Sequence, residues 1–192
     1  TIFHAQNCLE DAIKHYQYTI KLNPEFADAY NNLGAALNDI GKHFNAVENC
    51  LQAIRLRPQY SEALNNLGNA QKELGQIDQA IRAYQQSNEI SGGCAETYGN
   101  LGNALCDAGQ YDEALKNYNQ AILMNPSYGK VYNNLGTLLR NQRKLDEAAV
   151  CFQKAIALMP NEMEAHHNLG NIHYDRGNYD PAISSYERAL SI

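Results

Sequence analysis

The chain has 192 residues, a formal net charge of −6 and five cysteines. An acidic balance without a basic run argues against nucleic-acid binding and against a membrane-binding surface. The longest apolar stretch, near residues 155–160, is far shorter than the roughly 20 residues that span a membrane. No signal-peptide pattern opens the chain, and the odd number of cysteines without CxxC spacing predicts reduced thiols in a cytoplasmic or nuclear protein.

One phrase, Asn-Leu-Gly, recurs five times at intervals of 34 residues, beginning at Asn32, Asn66, Asn100, Asn134 and Asn168. A fixed period of this kind is typical of stacked repeats, in which each unit contacts only its neighbours. We therefore expect one array over residues 1–192. Its predicted units are a partial repeat at 1–26, full repeats at 27–60, 61–94, 95–128 and 129–162, and a nearly complete repeat at 163–192.

Each repeat is predicted to form two antiparallel helices, and its positions are numbered here from Ala27, Ser61, Ala95, Gly129 and Met163 as position 1. Apolar residues at positions 4, 7 and 11 share one face of a first helix, and positions 20, 24 and 27 share one face of a second. Small residues at positions 8, 20 and 27 should let the two helices approach closely, while aromatic residues at positions 4 and 24 fill the gaps.

Turn and cap residues recur with the same period. Glycine at position 15 predicts a left-handed residue that ends the first helix, at Gly41, Gly75, Gly109 and Gly177. Aspartates at position 18 are predicted to cap the second helix, at Asp78, Asp112, Asp146 and Asp180. Pro181 should then occupy the first helical position. Proline at position 32 should end the second helix, at Pro24, Pro58, Pro126 and Pro160.

Three parts of the chain depart from this pattern. Arg143 replaces the turn glycine and must accept a positive φ or shift the turn. The repeat at 61–94 has polar Gln71, Ser87 and Asn88 at core positions, and glycines where proline is expected. The repeat at 1–26 begins in the middle of a first helix.

Taken together, these positions resemble the tetratricopeptide repeat (TPR) family over essentially the whole chain, although tyrosine or leucine replaces the usual tryptophan at position 4. The resemblance implies an all-α fold, a right-handed superhelix of antiparallel helix pairs. It also implies a concave face built mainly from first helices, which is a surface for protein partners.

A row of asparagines is the main candidate for binding. On a helical wheel, positions 2, 6, 9 and 13 lie opposite the core-facing positions. Position 6 carries Asn32, Asn66, Asn100, Asn134 and Asn168, and position 9 carries Asn69, Asn103 and Asn171. A primary amide offers two donors and an acceptor, so it can satisfy both the N–H and the C=O of an extended peptide. The alternative is that these are solvated polar residues on the exposed side of a helix.

The asparagine row resembles the asparagine ladder in the TPR superhelix of O-linked N-acetylglucosaminyltransferases. This resemblance implies that substrate polypeptides are held by their backbone. It concerns the scaffold alone, because the chain has no glycosyltransferase pattern.

Carboxylates flank the asparagines on both sides. Position 2 carries Asp28, Glu62, Glu96 and Glu164, and position 13 carries Asp39, Glu73, Asp107 and Asp175. We therefore expect a negative groove that favours neutral or basic segments and repels acidic ones. Lys130 and Asn141 are the exceptions in the repeat at 129–162. Position 5 carries no lysine that could clamp the carboxylate of a ligand.

No catalytic, metal or cofactor site is predicted, because the chain shows no nucleophile–base set, phosphate loop or cofactor fingerprint. His166 and His173 occupy core positions, so a packed, hydrogen-bonded histidine pair is favoured over a metal site. The predicted function is a non-enzymatic protein–protein interaction scaffold for extended polypeptides. The alternatives are a substrate-recognition arm of a glycosyltransferase-like enzyme and a structural array that self-associates through its uncapped ends.

Overall fold

The computed structural model describes residues 2–192, with side chains from Leu9 onward. The side chains of Phe3, a predicted core residue, and Cys8 lie outside the described residues. Over residues 2–192 the chain forms eleven helices and no strand, and none of these helices is long and apolar enough to cross a membrane. In chain order the helices are α1 (Ile2–Leu22), α2 (Ala27–Asp39), α3 (His43–Leu56), α4 (Ser61–Glu73), α5 (Ile77–Ser91), α6 (Ala95–Asp107), α7 (Tyr111–Met124), α8 (Gly129–Asn141), α9 (Leu145–Leu158), α10 (Met163–Asp175) and α11 (Tyr179–Leu190).

The helices follow the predicted period. The first helices α2, α4, α6, α8 and α10 each span 13 residues, from repeat position 1 to position 13. The chain divides into two compact units, one up to Ala108 and one from Gly109 onward. In the first unit α2 packs on α3 and α4 on α5; in the second α8 packs on α9 and α10 on α11. The all-α repeat fold is confirmed, whereas the single array over 1–192 stays a prediction.

Glycine at position 8 is required by the packing of the helix pairs within each unit, at Gly34, Gly68, Gly136 and Gly170. A Cβ atom on Gly68 would lie 2.6 Å from Cε1 of Tyr84, and one on Gly136 would lie 2.7 Å from Cε1 of Phe152. The alanines at position 20 are also buried, at Ala46, Ala80, Ala114, Ala148 and Ala182. The predicted close approach of the two helices is therefore confirmed, and the side chain at position 24 is what lies against the glycine, a ring in three of these pairs and the Cys50 thiol at Gly34.

The turn between the two helices is also confirmed. The position-15 glycines Gly41, Gly75, Gly109 and Gly177 have φ between 72° and 76°. Arg143 adopts φ 63°, so the arginine accepts the left-handed conformation and the turn is not shifted. The second helices that precede a position-32 proline end two residues before it, as α3 does at Leu56 before Pro58.

The predicted caps of the second helices are wrong. The helices α5, α7, α9 and α11 begin one residue before the aspartate, and their N-cap residues Gln76, Gln110, Lys144 and Asn178 make no side-chain cap hydrogen bond. The aspartates therefore lie in the first helical turn, where their negative charge interacts favourably with the helix dipole. Pro181 is likewise the third helical residue; its missing N–H still falls in the first turn, where it has no intrahelical partner.

The first repeat also differs from the prediction. Helix α1 runs without a break from Ile2 to Leu22, although the repeat period places a turn near Asn7. Position 15 holds Asn7 in this repeat, so the glycine that ends the other first helices is missing.

The polar core residues of the repeat at 61–94 differ in how fully their side chains are hydrogen-bonded. Ser87 donates to the backbone oxygen of Ser61 at 2.7 Å. Gln71 donates to Gln79, but its own side-chain oxygen has no partner. Asn88 is 9% exposed, and neither its oxygen nor its nitrogen forms a hydrogen bond. Asn88 at position 28 therefore carries a desolvation cost that isoleucine avoids at the same position, at Ile20, Ile54, Ile122 and Ile156.

Replacing Arg143 by glycine should raise the free energy of unfolding by about 0.5–1 kcal/mol, because glycine adopts positive φ without the steric cost that a side chain brings. Chemical denaturation would measure the change. The control is Lys144→Gly at the next residue, where φ is −85° and glycine should destabilise. A less stable Arg143→Gly protein would contradict the assignment of strain to this residue.

Asn88→Ile should raise the free energy of unfolding by about 1–2 kcal/mol, because it removes two buried polar atoms without partners. Asn45→Ile, at an exposed position on α3, serves as the control and should change stability by less than about 0.5 kcal/mol. Equal effects in the two variants would show that Asn88 carries no special cost.

Candidate functional site

The predicted asparagine row lies on the first helices. Asn32 is exposed, and the other position-6 asparagines are half-buried, at Asn66, Asn100, Asn134 and Asn168. The neighbouring position 5 is buried instead, with Asn31 0%, Asn133 4% and Asn65 8% exposed. The helical wheel alone predicts no role for these position-5 asparagines. Their recurrence at one repeat position was the available signal.

Amide hydrogen bonds join consecutive first helices through these two positions. In the first unit, Asn66 Nδ2 donates to Asn31 Oδ1 at 2.9 Å, and Asn100 Nδ2 donates to Asn65 Oδ1 at 3.2 Å. In the second unit, Asn168 Nδ2 donates to Asn133 Oδ1 at 3.0 Å. Each of these bonds runs from position 6 to position 5 of the preceding repeat. The row therefore contributes to the stacking of the repeats as well as to their surface.

Asn31 shows why the buried amides are tolerated. Its Nδ2 donates to Glu62 Oε1 at 3.1 Å and to Asn32 Oδ1 at 3.4 Å, while its oxygen accepts from Asn66. A buried polar group costs little when its hydrogen-bonding capacity is used in this way.

The inter-repeat bonds leave part of each half-buried amide available. Asn66 and Asn168 each use one N–H and keep a second N–H and the side-chain oxygen. Asn100 also donates to Asn69 Oδ1 at 3.2 Å, so both of its N–H groups are used and only its oxygen remains. These groups are held in one orientation, and donors and acceptors fixed in this way cost less entropy to engage than mobile ones.

The asparagines at position 9 accept hydrogen bonds from the tyrosines at position 24. Tyr84 OH donates to Asn69 Oδ1 at 2.7 Å, and Tyr186 OH donates to Asn171 Oδ1 at 2.8 Å. Tyr84 is 0% exposed, and burial raises the pKa of its phenol. The asparagine thus satisfies a hydroxyl that would otherwise be buried alone.

The sequence contained this pairing. Asparagine occupies position 9 only where tyrosine occupies position 24 of the same repeat, in the pairs 69/84, 103/118 and 171/186. Ala35 accompanies Cys50, and Thr137 accompanies Phe152, two side chains without a phenol. A peptide-binding role for Asn69, Asn103 and Asn171 stays a prediction, and at Asn69 and Asn171 the oxygen is already engaged.

Asp28, a member of the acidic row at position 2, is hydrogen-bonded to two residues of its own repeat. It accepts two hydrogen bonds from Arg57, both at 2.9 Å, and one from Tyr60 OH at 2.7 Å. The hydrogen bond from the Arg57 guanidinium lowers the pKa of Asp28. Burial, and then the bond to Asp28, raises the pKa of Tyr60 to about 12. This carboxylate is therefore neutralised locally.

Two further carboxylates of the acidic rows form ion pairs. Asp107 lies 3.5 Å from Lys72 Nζ, and Asp175 accepts from Arg140 Nε at 2.9 Å. The other position-2 and position-13 carboxylates are exposed, at Glu62, Glu96, Glu164, Asp39 and Glu73. The negative charge is consequently weaker than a count of acids indicates, and it is concentrated on the exposed members.

The histidines do not form the predicted hydrogen-bonded pair. His166 Nε2 lies 2.9 Å from the backbone oxygen of Pro160, as Tyr132 OH does at 3.3 Å from that of Pro126. His173 Nδ1 is buried without a partner. Among the described side chains, no group of three metal-ligating residues comes together. Burial also raises the pKa of the Cys50 thiol to about 12 and that of Cys151 to about 11, so neither supplies a thiolate nucleophile at neutral pH.

The fold and this surface define an all-α helical-repeat protein built from helix pairs of 34-residue period. A family model described as tetratricopeptide repeat matches residues 25–91, 93–161 and 127–192, and one described as TPR repeat matches residues 1–41. The chain belongs to the tetratricopeptide repeat family.

Several solved structures share this fold. MamA (41-end) from Desulfovibrio magneticus RS-1 aligns with TM-score 0.73 and 21% identity, over 86% of this chain and 93% of that one. YrrB, described as a TPR protein with an unusual peptide-binding site, aligns with TM-score 0.67 and 21% identity, over 92% and 91%. A chain of the APC/C hetero-tetramer Cut9-Hcn1 aligns with TM-score 0.86 and 21% identity, over 95% of this chain and 36% of that one. A comparison with curated protein sequences finds no match.

Asn69→Ala should lower the free energy of unfolding by about 1–3 kcal/mol, because it leaves the buried hydroxyl of Tyr84 without its acceptor. Tyr84→Phe in the same chain should recover most of this loss, since it removes the hydroxyl. Chemical denaturation of the two single variants and the double variant gives the coupling energy. Additive effects would contradict the structural assignment of position 9.

Proposed function

We propose that this chain is a protein–protein interaction scaffold that binds extended polypeptide segments along its position-6 asparagines. The observation that carries the proposal is that three half-buried amides of this row, Asn66, Asn100 and Asn168, are each fixed by the preceding repeat and keep a hydrogen-bonding group. The row comprises Asn32, Asn66 and Asn100 in the first unit, and Asn134 and Asn168 in the second. In this proposal the chain itself performs no catalysis.

The spacing of the row suits an extended backbone. Neighbouring packed helices lie about 8–10 Å apart, and an extended chain advances about 3.3 Å per residue. One asparagine would therefore serve about every third residue of the ligand. The remaining oxygens of Asn66 and Asn100 would accept from ligand N–H groups, and the remaining N–H of Asn66 would donate to a ligand carbonyl. Such contacts are independent of the ligand's side chains.

The exposed acids give the proposed surface its charge preference. Glu62, Glu73 and Glu96 flank the row in the first unit and are exposed. They would favour neutral or basic segments there, with an effect that weakens as salt screens it. Asp28 contributes little to this preference because Arg57 neutralises it.

Family membership supports a binding role. The fold is that of the TPR family, and YrrB in that family is described as having a peptide-binding site. The alternatives of a substrate-recognition arm and of a self-associating array stay predictions.

The test is a peptide-array screen of the whole chain, followed by fluorescence anisotropy with the tightest neutral peptide. Asn66→Ala should weaken binding of a peptide that lies on the first unit about fivefold, as expected for the loss of about 1 kcal/mol of hydrogen bonding. Asn168→Ala should have the same effect on a peptide that lies on the second unit. Asn45→Ala, on the exposed face of α3, should leave the affinity unchanged.

Asn31→Ala separates binding from stability. Asn31 is fully buried and makes the same inter-repeat bond as Asn66, so its loss should lower the free energy of unfolding while changing affinity less than Asn66→Ala does. Equal losses of affinity in the two variants would mean that the row acts only through the fold. Unchanged affinity in Asn66→Ala and Asn168→Ala would overturn the proposal.

A further inference from the structure

The turn between α8 and α9 carries more positive charge than the equivalent turns, which contain at most one basic residue, as at Lys42 and Arg176. Position 13 is a carboxylate in the other complete first helices, at Asp39, Glu73, Asp107 and Asp175, but it is Asn141 here. Arg140 precedes this residue, and Arg143 and Lys144 follow it within three residues. Helix α8 itself contains Lys130 and Arg140 and no acidic residue. This turn is therefore a basic site on an otherwise acidic chain.

The backbone at Arg143 adopts a conformation that favours glycine over other residues. Its φ of 63° is the one left-handed value among the non-glycine residues that the structure describes. Glycine fills the same position in the four other complete turns at no steric cost. Non-glycine residues in this conformation are strained, and such strain concentrates at functional sites. A charge kept at a strained position points to a role outside folding.

The side chains around the turn form a concave site. A cavity of about 340 Å³ is lined by Arg140, Asn141, Arg143 and Asp175. Arg140 Nε donates to Asp175 at 2.9 Å, which holds the guanidinium in place and leaves its two terminal nitrogens for another acceptor. Arg143 and Lys144 are exposed.

The acids near this turn do not cancel its charge. Asp175 is paired with Arg140, and Asp146 is paired with Arg176. Glu147 stands in the first turn of α9 and is exposed. The positive charges of Arg143 and Lys144 therefore outnumber the negative charge of Glu147, and the site has a net positive charge.

We propose that the α8–α9 turn is an anion-binding site that takes a carboxylate or phosphate group, such as an acidic or phosphorylated side chain of a partner protein. The Arg140 and Arg143 guanidinium groups supply paired donors with the planar geometry that both anions match. Asn141 adds a neutral amide where a carboxylate would repel the ligand. The site is separate from the asparagine row and does not depend on it.

The test begins with the ¹⁵N-labelled whole chain titrated with sodium phosphate and, separately, with sodium acetate, at constant ionic strength. Saturable shifts of the amide resonances of residues 140–144 are expected with both anions. Arg143→Gly should weaken this response at least fivefold while making the fold more stable. Lys42→Ala, in the equivalent turn between α2 and α3, should leave the response unchanged.

A set of three short peptides then identifies the source of the anion: one with phosphoserine, one with glutamate and one with serine at the same position. Tighter binding of the phosphoserine peptide identifies a phosphorylated partner, and similar binding of the two anionic peptides identifies an acidic one. The proposal is overturned if neither binds better than the serine peptide. It is also overturned if Arg143→Gly changes stability alone, or if Lys42→Ala weakens the phosphate response as much as Arg143→Gly does.

Discussion

In three repeats, at Gly68, Gly136 and Gly170, the contact between glycine at position 8 and the ring at position 24 is the constraint on which the neighbouring surface depends. At Gly68 no Cβ atom fits beside Tyr84, so the two helices of the repeat come close enough for the phenol to cross the pair. The hydroxyl then reaches Asn69, and Asn69 in turn accepts from Asn100 of the next repeat. A core contact and a surface amide are thus linked through two hydrogen bonds.

Because of this network, the same polar residues stabilise the fold and present hydrogen-bonding groups at the surface. Asn66, Asn100 and Asn168 stabilise the stacking of first helices and also present groups to solvent. The same applies to charge: Asp28, Asp107 and Asp175 belong to the acidic rows but are paired with Arg57, Lys72 and Arg140. A residue's repeat position therefore does not settle its role, which depends on what the neighbouring repeat places beside it.

The 34-residue period, together with the recurring glycine and proline positions, was enough to predict the helix pairs, the glycine turns and the close approach at position 8. These features are local, since each depends on residues within one repeat. The burial of Asn31 could not be read from a helical wheel, because position 5 lies at the edge of the core-facing sector and the next first helix covers it. The aspartate caps failed for a smaller reason: the second helix begins one residue earlier than the pattern indicated. The pairing of positions 9 and 24 was present in the sequence but needed the hydrogen bond to give it meaning.

Both N–H groups of Asn100 are used within the protein, and this affects how a segment lying along the row would be aligned. If every position of the row were equivalent, a segment lying along it could slide by one repeat without any change in energy. Asn66 offers a donor and an acceptor, whereas Asn100 offers an acceptor alone. A segment displaced from one to the other would face an oxygen where its carbonyl had found an N–H. Because the amides are not equivalent, such sliding would be costly. The proposed surface, which would not read the ligand's side chains, would therefore still favour one alignment.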